Sequence, residues 1–387
     1  TGLSYAELAS MFPKAAAVSV YTKNAFKKRH FPFVLGGLII FTEVFAGATV
    51  ALGFGGYLHN FLASFLNIPI ILLAALLILV LSLLNFYGIK ESARFNVLFT
   101  LIETAGLVFI IYLGLGFLGS VNYLEMPRGF GGIFSAAALI FFAYLGFEEM
   151  ANMAEETKEA KKNIPLAILI SIIITTVLYI LVSISAVSIL PWQILGESTA
   201  PLADVAEAAL PGSSSLLSFI ALFATLNTVL IILVVTSRMF YGMAKDTNLF
   251  RPLSRVHSKR RTPWVAVLVT MLLVMALTLI GEISFVALVA DLGSFAIFLT
   301  VNLSLIVLRY RKPNLERPFR VPFNIGRFPV LPALGVVTCI FMMLHFDWFI
   351  ILITVSIIFL GFVTFYTLDT LRQKRQKTSR DSHRETT

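Results

Sequence analysis

Long apolar runs alternate with short polar junctions along almost the whole chain. Ten runs reach the length of about 20 mostly apolar residues that a bilayer crossing needs: 31–58, 69–88, 93–118, 131–154, 164–190, 215–243, 263–281, 283–308, 329–346 and 348–368. None alternates apolar and polar residues as a membrane barrel strand does, so each predicts a helix. The junctions "GE" at 281–282 and "FD" at 346–347 leave room only for tight hairpins. The pattern predicts an all-α multi-pass membrane protein with one transmembrane domain over 1–371. Residues 1–30 are too interrupted, by Glu7, Pro13 and Lys14, to cross. The polar, basic tail 372–387 is expected to be disordered. In the loop 191–214, "TAPLADVAEAAL" has helical periodicity after Pro201, which predicts a short helix, either over an opening or as a plain surface element.

Composition agrees with the pattern. The chain is 58% hydrophobic and 13% charged, against about half and a quarter for soluble domains. A net charge of +9 raises a nucleic-acid partner, and its distribution answers that question. If the chain crosses at every run, all 30 Lys and Arg except Arg128 fall on the face that holds both ends. Loops rich in Lys and Arg lie on the cytoplasmic side. Both ends are therefore expected there, in a cell membrane, with lipid and not nucleic acid as the surrounding partner. Cys339 is the lone cysteine, which excludes an intrachain disulfide. His30, His59, His257, His345 and His383 sit at run ends or in loops without ligand spacing, so no metal is expected. No phosphate-cradling loop or nucleophile elbow is present, so neither a cofactor nor an enzyme is expected. "GFGG" at 53–56, inside a run, suits close helix packing. Beginning at Thr1 with no visible signal peptide, the chain reads as starting partway through a larger protein.

The acids within the runs carry the functional signal, because a mid-bilayer carboxylate costs roughly 2.5–3.5 kcal/mol and faces a bundle interior or water cavity. Glu103, in "NVLFTLIETAGLVFIIYLG", is flanked by apolar residues on both sides; it is either a proton-linked group or a hydrogen-bonded structural acid. Glu43, in "IIFTEVFAG", suits packing or transport equally. Asp291, in "VALVADLGSF", lies nearer the outer end, where a carboxylate is expected to reach the interface. Glu148 and Glu149 end the run "FFAYLGFEE". The 17 residues Gly131–Phe147 just cross a bilayer at ~1.5 Å each, which makes the glutamates a cytoplasmic boundary. Against this, Phe147, Met150, Ala151 and Ala154 extend an apolar stripe at i, i+3, i+4 and i+7. A helix broken near Gly146 would consume the extra length and leave backbone groups free to line a site. Pattern alone leaves both readings standing.

"LSYAELASMFPKA", "FFAYLGFEEMANMAEETKEAKKNIPLAI", "ATLNTVLIILVVTSRMFYGMAKD", "RVHSKRRTPWVAV" and "LRYRKPNLERPFRVP" resemble, in order and spacing, signature segments of the amino acid–polyamine–organocation permeases. The resemblance runs from Leu3 to about Leu368. It implies a fold of two inverted five-helix repeats plus two C-terminal helices, with a midplane site for amino acids or related amines moved by exchange or with protons. The ten runs match family helices three to twelve, residues 1–10 resemble the inner end of helix two, and helix one is missing. The resemblance thus implies half a site, and a chain not competent to transport alone.

By resemblance, the substrate-binding segment is Phe142, Ala143, Tyr144, Gly146 and Phe147. Phe142 would be the covering aromatic, and the carbonyls near Ala143, Tyr144 and Gly146 would meet the substrate ammonium. Glu148 would be a gate or proton-linked acid below them, while Glu149, Glu155 and Glu156 stay on a solvated face. Ala224, Asn227 and Thr228 fall on positions that offer oxygens to a cation in sodium-coupled relatives of the fold. Glu103 stands where some proton-coupled members place a lysine. It is therefore expected to bind the coupling proton, with Asn227 or Thr228 as partner, and Glu43 joins it among the candidate proton-linked acids. The runner-up substrates are polyamines or cationic amino acids, which Glu43, Glu148 and Asp291 would favour. Readings from other classes are a channel or a non-transporting membrane remnant.

Overall fold

The structure is a computed structural model and describes residues 1–14, 17–26, 30–62, 66–88, 93–155, 157–247 and 251–384. Glu156, one of the residues read above, lies outside them, as do 385–387.

The chain opens with two short helices, α1 (Gly2–Met11) and α2 (Ala17–Phe26), where the sequence suggested a helix end and a loop. The long helices α3 (His30–Leu62), α4 (Ile70–Tyr87) and α5 (Ala93–Gly114) follow. The next run is split into α6 (Gly129–Ile140) and a four-residue α7 (Glu149–Asn152). After it come α8 (Ala160–Ile189), the small outer-loop helices α9 (Trp192–Glu197) and α10 (Pro201–Ala209), and α11 (Ser214–Thr247). Next are α12 (Trp264–Thr278) and α13 (Ile283–Arg311), and then the two-residue antiparallel strands β1 (Asn324–Ile325) and β2 (Phe328–Pro329). The chain closes with α14 (Val330–Met343) and α15 (Trp348–Arg384).

All ten expected spans thus correspond to apolar helices. Among the described residues, eight are long and apolar enough to cross a membrane. The other two, α12 and α14, have 15 and 14 helical residues. At 1.5 Å per residue they reach only about 22 Å of the ~30 Å hydrocarbon core. Their predicted ends, around Gly281 and His345, are turns: Gly281 donates to the Thr278 carbonyl and His345 to the Met342 carbonyl. The last helix departs from expectation in the other direction, its backbone staying helical to Arg384 where a disordered tail was expected. Propagating a helix already nucleated in the membrane costs little, and Arg, Lys and Gln are good helix formers.

Two helices form the centre. In their most apolar stretches α3 is 56% and α13 61% buried, against 6% for α8. They pack on each other, and α3 also seats α11, α4 and α12. Close approach along α3 depends on Gly55 and Gly56, where a Cβ would collide with the Ile70 and Thr199 carbonyls. The "GFGG" stretch therefore packs helices, as its composition suggested.

The helix α1 is seated on α13 through a polar stripe at every third residue. Asn302 of α13 donates to Thr1 Oγ1 at 3.0 Å and accepts from Ser4 Oγ at 2.6 Å. Glu7, fully buried, takes Arg309 Nε at 2.8 Å and the Val321 backbone N–H at 2.8 Å. A second Arg309 nitrogen binds Glu7 at 2.5 Å, and Arg317 Nε stands 3.1 Å away. Ser10 accepts from the Phe319 backbone N–H at 3.2 Å.

Candidate functional site

The run that contains Phe141–Glu148 breaks in its middle. After α6 the chain tightens into a 3₁₀ turn over Phe141–Tyr144. Leu145 is extended at φ −62° and ψ 143°, and Gly146 takes φ +111°. That last value favours glycine, since L side chains rarely adopt it. No atom lies within 4 Å of where a Gly146 Cβ would stand, so conformation rather than space selects the glycine.

A broken helix leaves carbonyls at its C-terminal half that need partners. The Phe142 carbonyl accepts from the Leu145 N–H at 3.2 Å, and the Gly146 carbonyl from the Glu149 N–H at 3.1 Å. The Ala143 carbonyl takes the Tyr179 hydroxyl of α8 at 2.7 Å. No hydrogen bond reaches the Tyr144 carbonyl from a described residue. On the other side of the break, Glu148 Oε2 accepts the Gly146 N–H at 2.9 Å, folding its carboxylate back over the bend.

Aromatic rings fix the break against α13 and α1. Phe141 stacks on Phe295 with centroids 4.4 Å apart and meets Phe298 at 5.8 Å. Phe147 packs on Phe298 at 5.4 Å and on Tyr5 at 5.7 Å. Tyr144 meets Tyr179 edge-on at 5.2 Å. Tyr5, on α1, is fully buried, and its hydroxyl has no hydrogen-bond partner. Burial first, and the nearby Glu148 second, push its phenol well above the usual range. Phe142 is half-buried, and among the described residues no aromatic ring touches it.

The acids divide into groups. Glu43 on α3 lies close enough to Glu149 and Glu148 for their charges to act on it. Glu149 is half-buried and accepts from Asn152 Nδ2 at 3.0 Å, so it does not belong to a solvated face as the sequence suggested. Glu155 does: it is exposed and pairs loosely with Lys14 at 3.7 Å. Asp291 departs most from expectation. It does not reach an interface but is completely buried, because the outer half of α13 is enclosed by α3 and the break. The Phe142 backbone lies beside its carboxyl, yet neither carboxyl oxygen makes a hydrogen bond.

Glu103 stands apart from the break. The helix α5 packs on α8, α10 and α11. Phe99 meets Phe223 at 5.9 Å, and Gly106 lies against Ile220, an antiparallel register. That register puts Glu103 level with residues 220–223, about 8 Å along the axis from Asn227. Glu103 Oε1 is buried without a hydrogen-bond partner. The Thr228 hydroxyl donates to the Ala224 carbonyl at 3.0 Å, so two of the three cation-site-like residues bond to each other. The elements therefore set the Phe142 backbone beside Asp291 and bring Glu43 within reach of Glu148 and Glu149, and they leave Glu103 apart on α5, beside α11. Sequence reasoning missed Tyr179 and Tyr5. A tyrosine in an apolar run is the signal that was there, without any indication of what its hydroxyl meets.

Comparison with known proteins bears on what this geometry serves. Residues 1–375 match the family described as amino acid permease. The chain is similar to the branched-chain amino acid permease BcaP of Bacillus subtilis, at 29% identity over 89% of this chain and 77% of the relative. It is also similar to the methylthioribose transporter of the same organism, at 30% identity over 88% and 76%. The vacuolar cationic amino acid transporter 4 of Arabidopsis thaliana is 28% identical over 80% of this chain and 55% of the relative.

Proposed function

Because this chain belongs to the amino acid permease family, we propose that its amino acid cargo binds where the helix opens at Leu145–Gly146, and that transport is coupled to protons or proceeds by exchange. The observation that carries the reading is the opening itself: a bend at φ +111° where, among the described residues, no hydrogen bond reaches the Tyr144 carbonyl and a side chain alone reaches that of Ala143. Carbonyls at the C-terminal end of a half-helix attract a positive group such as an α-ammonium. Phe142, without a ring partner, is the aromatic available to cover the cargo, and Phe147 fixes the lower half to α1 and α13. Glu148, bonded to the bend, serves as the gate.

The test is uptake of labelled leucine, arginine and putrescine by vesicles containing the purified protein, before and after Phe142→Ala. Saturable uptake whose KM rises in the variant supports the site. Uptake with unchanged KM places the cargo elsewhere. Arginine and putrescine are included for a specific reason. Glu43 lies within reach of the charges of Glu149 and Glu148, and a relative's name specifies cationic amino acids. A preference for arginine over leucine would select this second reading.

For coupling, Glu103 is the acid with a buried, unpartnered oxygen beside α11. Glu103→Gln should abolish accumulation driven by a pH gradient while leaving exchange. Undiminished accumulation removes Glu103 from the role. Its surroundings support the role without Asn227, which the register sets about 8 Å off. The Lys- and Arg-rich loops support a reading in which both ends lie on the cytoplasmic side of a cell membrane.

A further inference from the structure

Asp291 is the most anomalous group in the molecule. Its exposure is 0%, and both carboxyl oxygens lack a hydrogen-bond partner. It sits on the α13 face that carries Phe295 and Phe298 at i+4 and i+7, the two rings that hold Phe141 and Phe147 of the break. Among the described residues, no charged or titratable side chain of the elements packed on α13 makes a hydrogen bond or ion pair with it, neither Glu43 of α3, Glu7 of α1 and Lys23 of α2, nor Tyr144 of the break, Cys339 of α14 and Tyr366 of α15; the Phe142 backbone lies beside it.

Two physical arguments follow. An isolated carboxylate in such surroundings would carry a desolvation cost that nothing offsets, so in this conformation the group is a neutral acid. A neutral acid kept for structure would donate its O–H to an acceptor, and among the described residues this one has none, so a leucine would hold the helices at least as well. Neither stability nor packing accounts for an acid here. A route for charge does.

We propose that Asp291 is a proton-carrying residue of the permease, loaded while the break is closed over it and unloaded when the break moves. The step balances simply. The carboxyl O–H bond breaks, its electron pair stays on the carboxylate oxygen, and the proton passes to water admitted when the Phe141 ring leaves Phe295. Reversal on the opposite side of the membrane reloads it. The proposal rests on the break being the cargo site. It is distinct from the role given to Glu103, whose helix packs on α8, α10 and α11.

Infrared difference spectra of the purified full chain test the proton directly, without reference to transport. Wild type should show a neutral-carboxyl band that Asp291→Asn removes and Glu103→Gln retains. In vesicles, Asp291→Asn should lose accumulation driven by a pH gradient and keep exchange. A band unchanged in Asp291→Asn, or accumulation equal to wild type, overturns the proposal. If Asp291→Asn fails to fold, Asp291→Glu should fold, shift the band and keep accumulation; an unshifted band overturns it equally. If wild type moves no amino acid, the cargo reading fails and this proposal with it; accumulation unimpaired in Asp291→Asn overturns the proposal alone.

Discussion

At the scale of single residues, Gly146 separates conformation from space. Replacing it with alanine collides with nothing within 4 Å but forces an L residue to φ +111°. The cost is about 1–3 kcal/mol for a non-glycine held in such a region. Gly146→Ala should therefore lower the melting temperature in detergent and depress uptake, and Gly146→Ser should behave the same way because the strain lies in the backbone. A melting temperature equal to wild type in both would show that the bend relaxes freely. This glycine was legible only in part: an apolar stripe continuing past Glu148 raised a break near Gly146 and left it level with a plain cytoplasmic boundary, until the family resemblance favoured the break. Asp291 was not. Counting residues along a helix gives depth, and nothing in a count says which neighbours close around a side chain. The Tyr179 hydroxyl and the Ala143 carbonyl meet across 36 residues for the same reason: no local pattern encodes it.

At the scale of elements, α1 is held to α13 and to the segment that follows it by Glu7, Arg309 and Arg317 rather than by apolar area alone. Removing one partner of a buried pair leaves the others uncompensated and costs about 3–5 kcal/mol. Glu7→Gln should accordingly lower the thermal unfolding midpoint far more than Glu155→Gln, whose lysine partner is exposed. Equal shifts would show that the buried cluster contributes no more than a surface pair. Arg309→Lys should not preserve stability, because Glu7 is gripped by a planar fork that an ammonium does not reproduce. The sequence marked Glu7 only as an interruption, and its two arginine partners lie roughly 300 positions on. The short helices α12 and α14 mark the same limit: hydropathy runs through a turn as smoothly as through a helix, so the span was legible and its end was not.

At the scale of the whole molecule, lipid makes sequence most informative. A bilayer demands length, apolarity and internally satisfied backbone, and each is visible in one dimension. The ten segments and their all-α character followed from that alone. Charge adds orientation, which can be checked by labelling single cysteines in a Cys339→Ala background. The exposed positions Ser258→Cys and Asn314→Cys should react only with reagent on the cytoplasmic side, and Gln193→Cys only from outside. Reaction of Ser258→Cys and Asn314→Cys from outside, with Gln193→Cys from the cytoplasmic side, would reverse the topology; reaction of all three from one face would break the alternation of spans. What lipid does not demand is a particular neighbour for each helix, so the central pairing of α3 with α13 emerged only in three dimensions.

The Tyr179 hydroxyl on the Ala143 carbonyl has a consequence for how an empty carrier keeps its shape. A gap in a helix exposed to nothing would collapse or flood; here the following span lends the gap a donor of its own. At the proposed site, an arriving ammonium would not fill a void but trade places with, or stand beside, a resident phenol. Loading would then swap one hydrogen bond for another at nearly level energy, which suits a protein that must also let go.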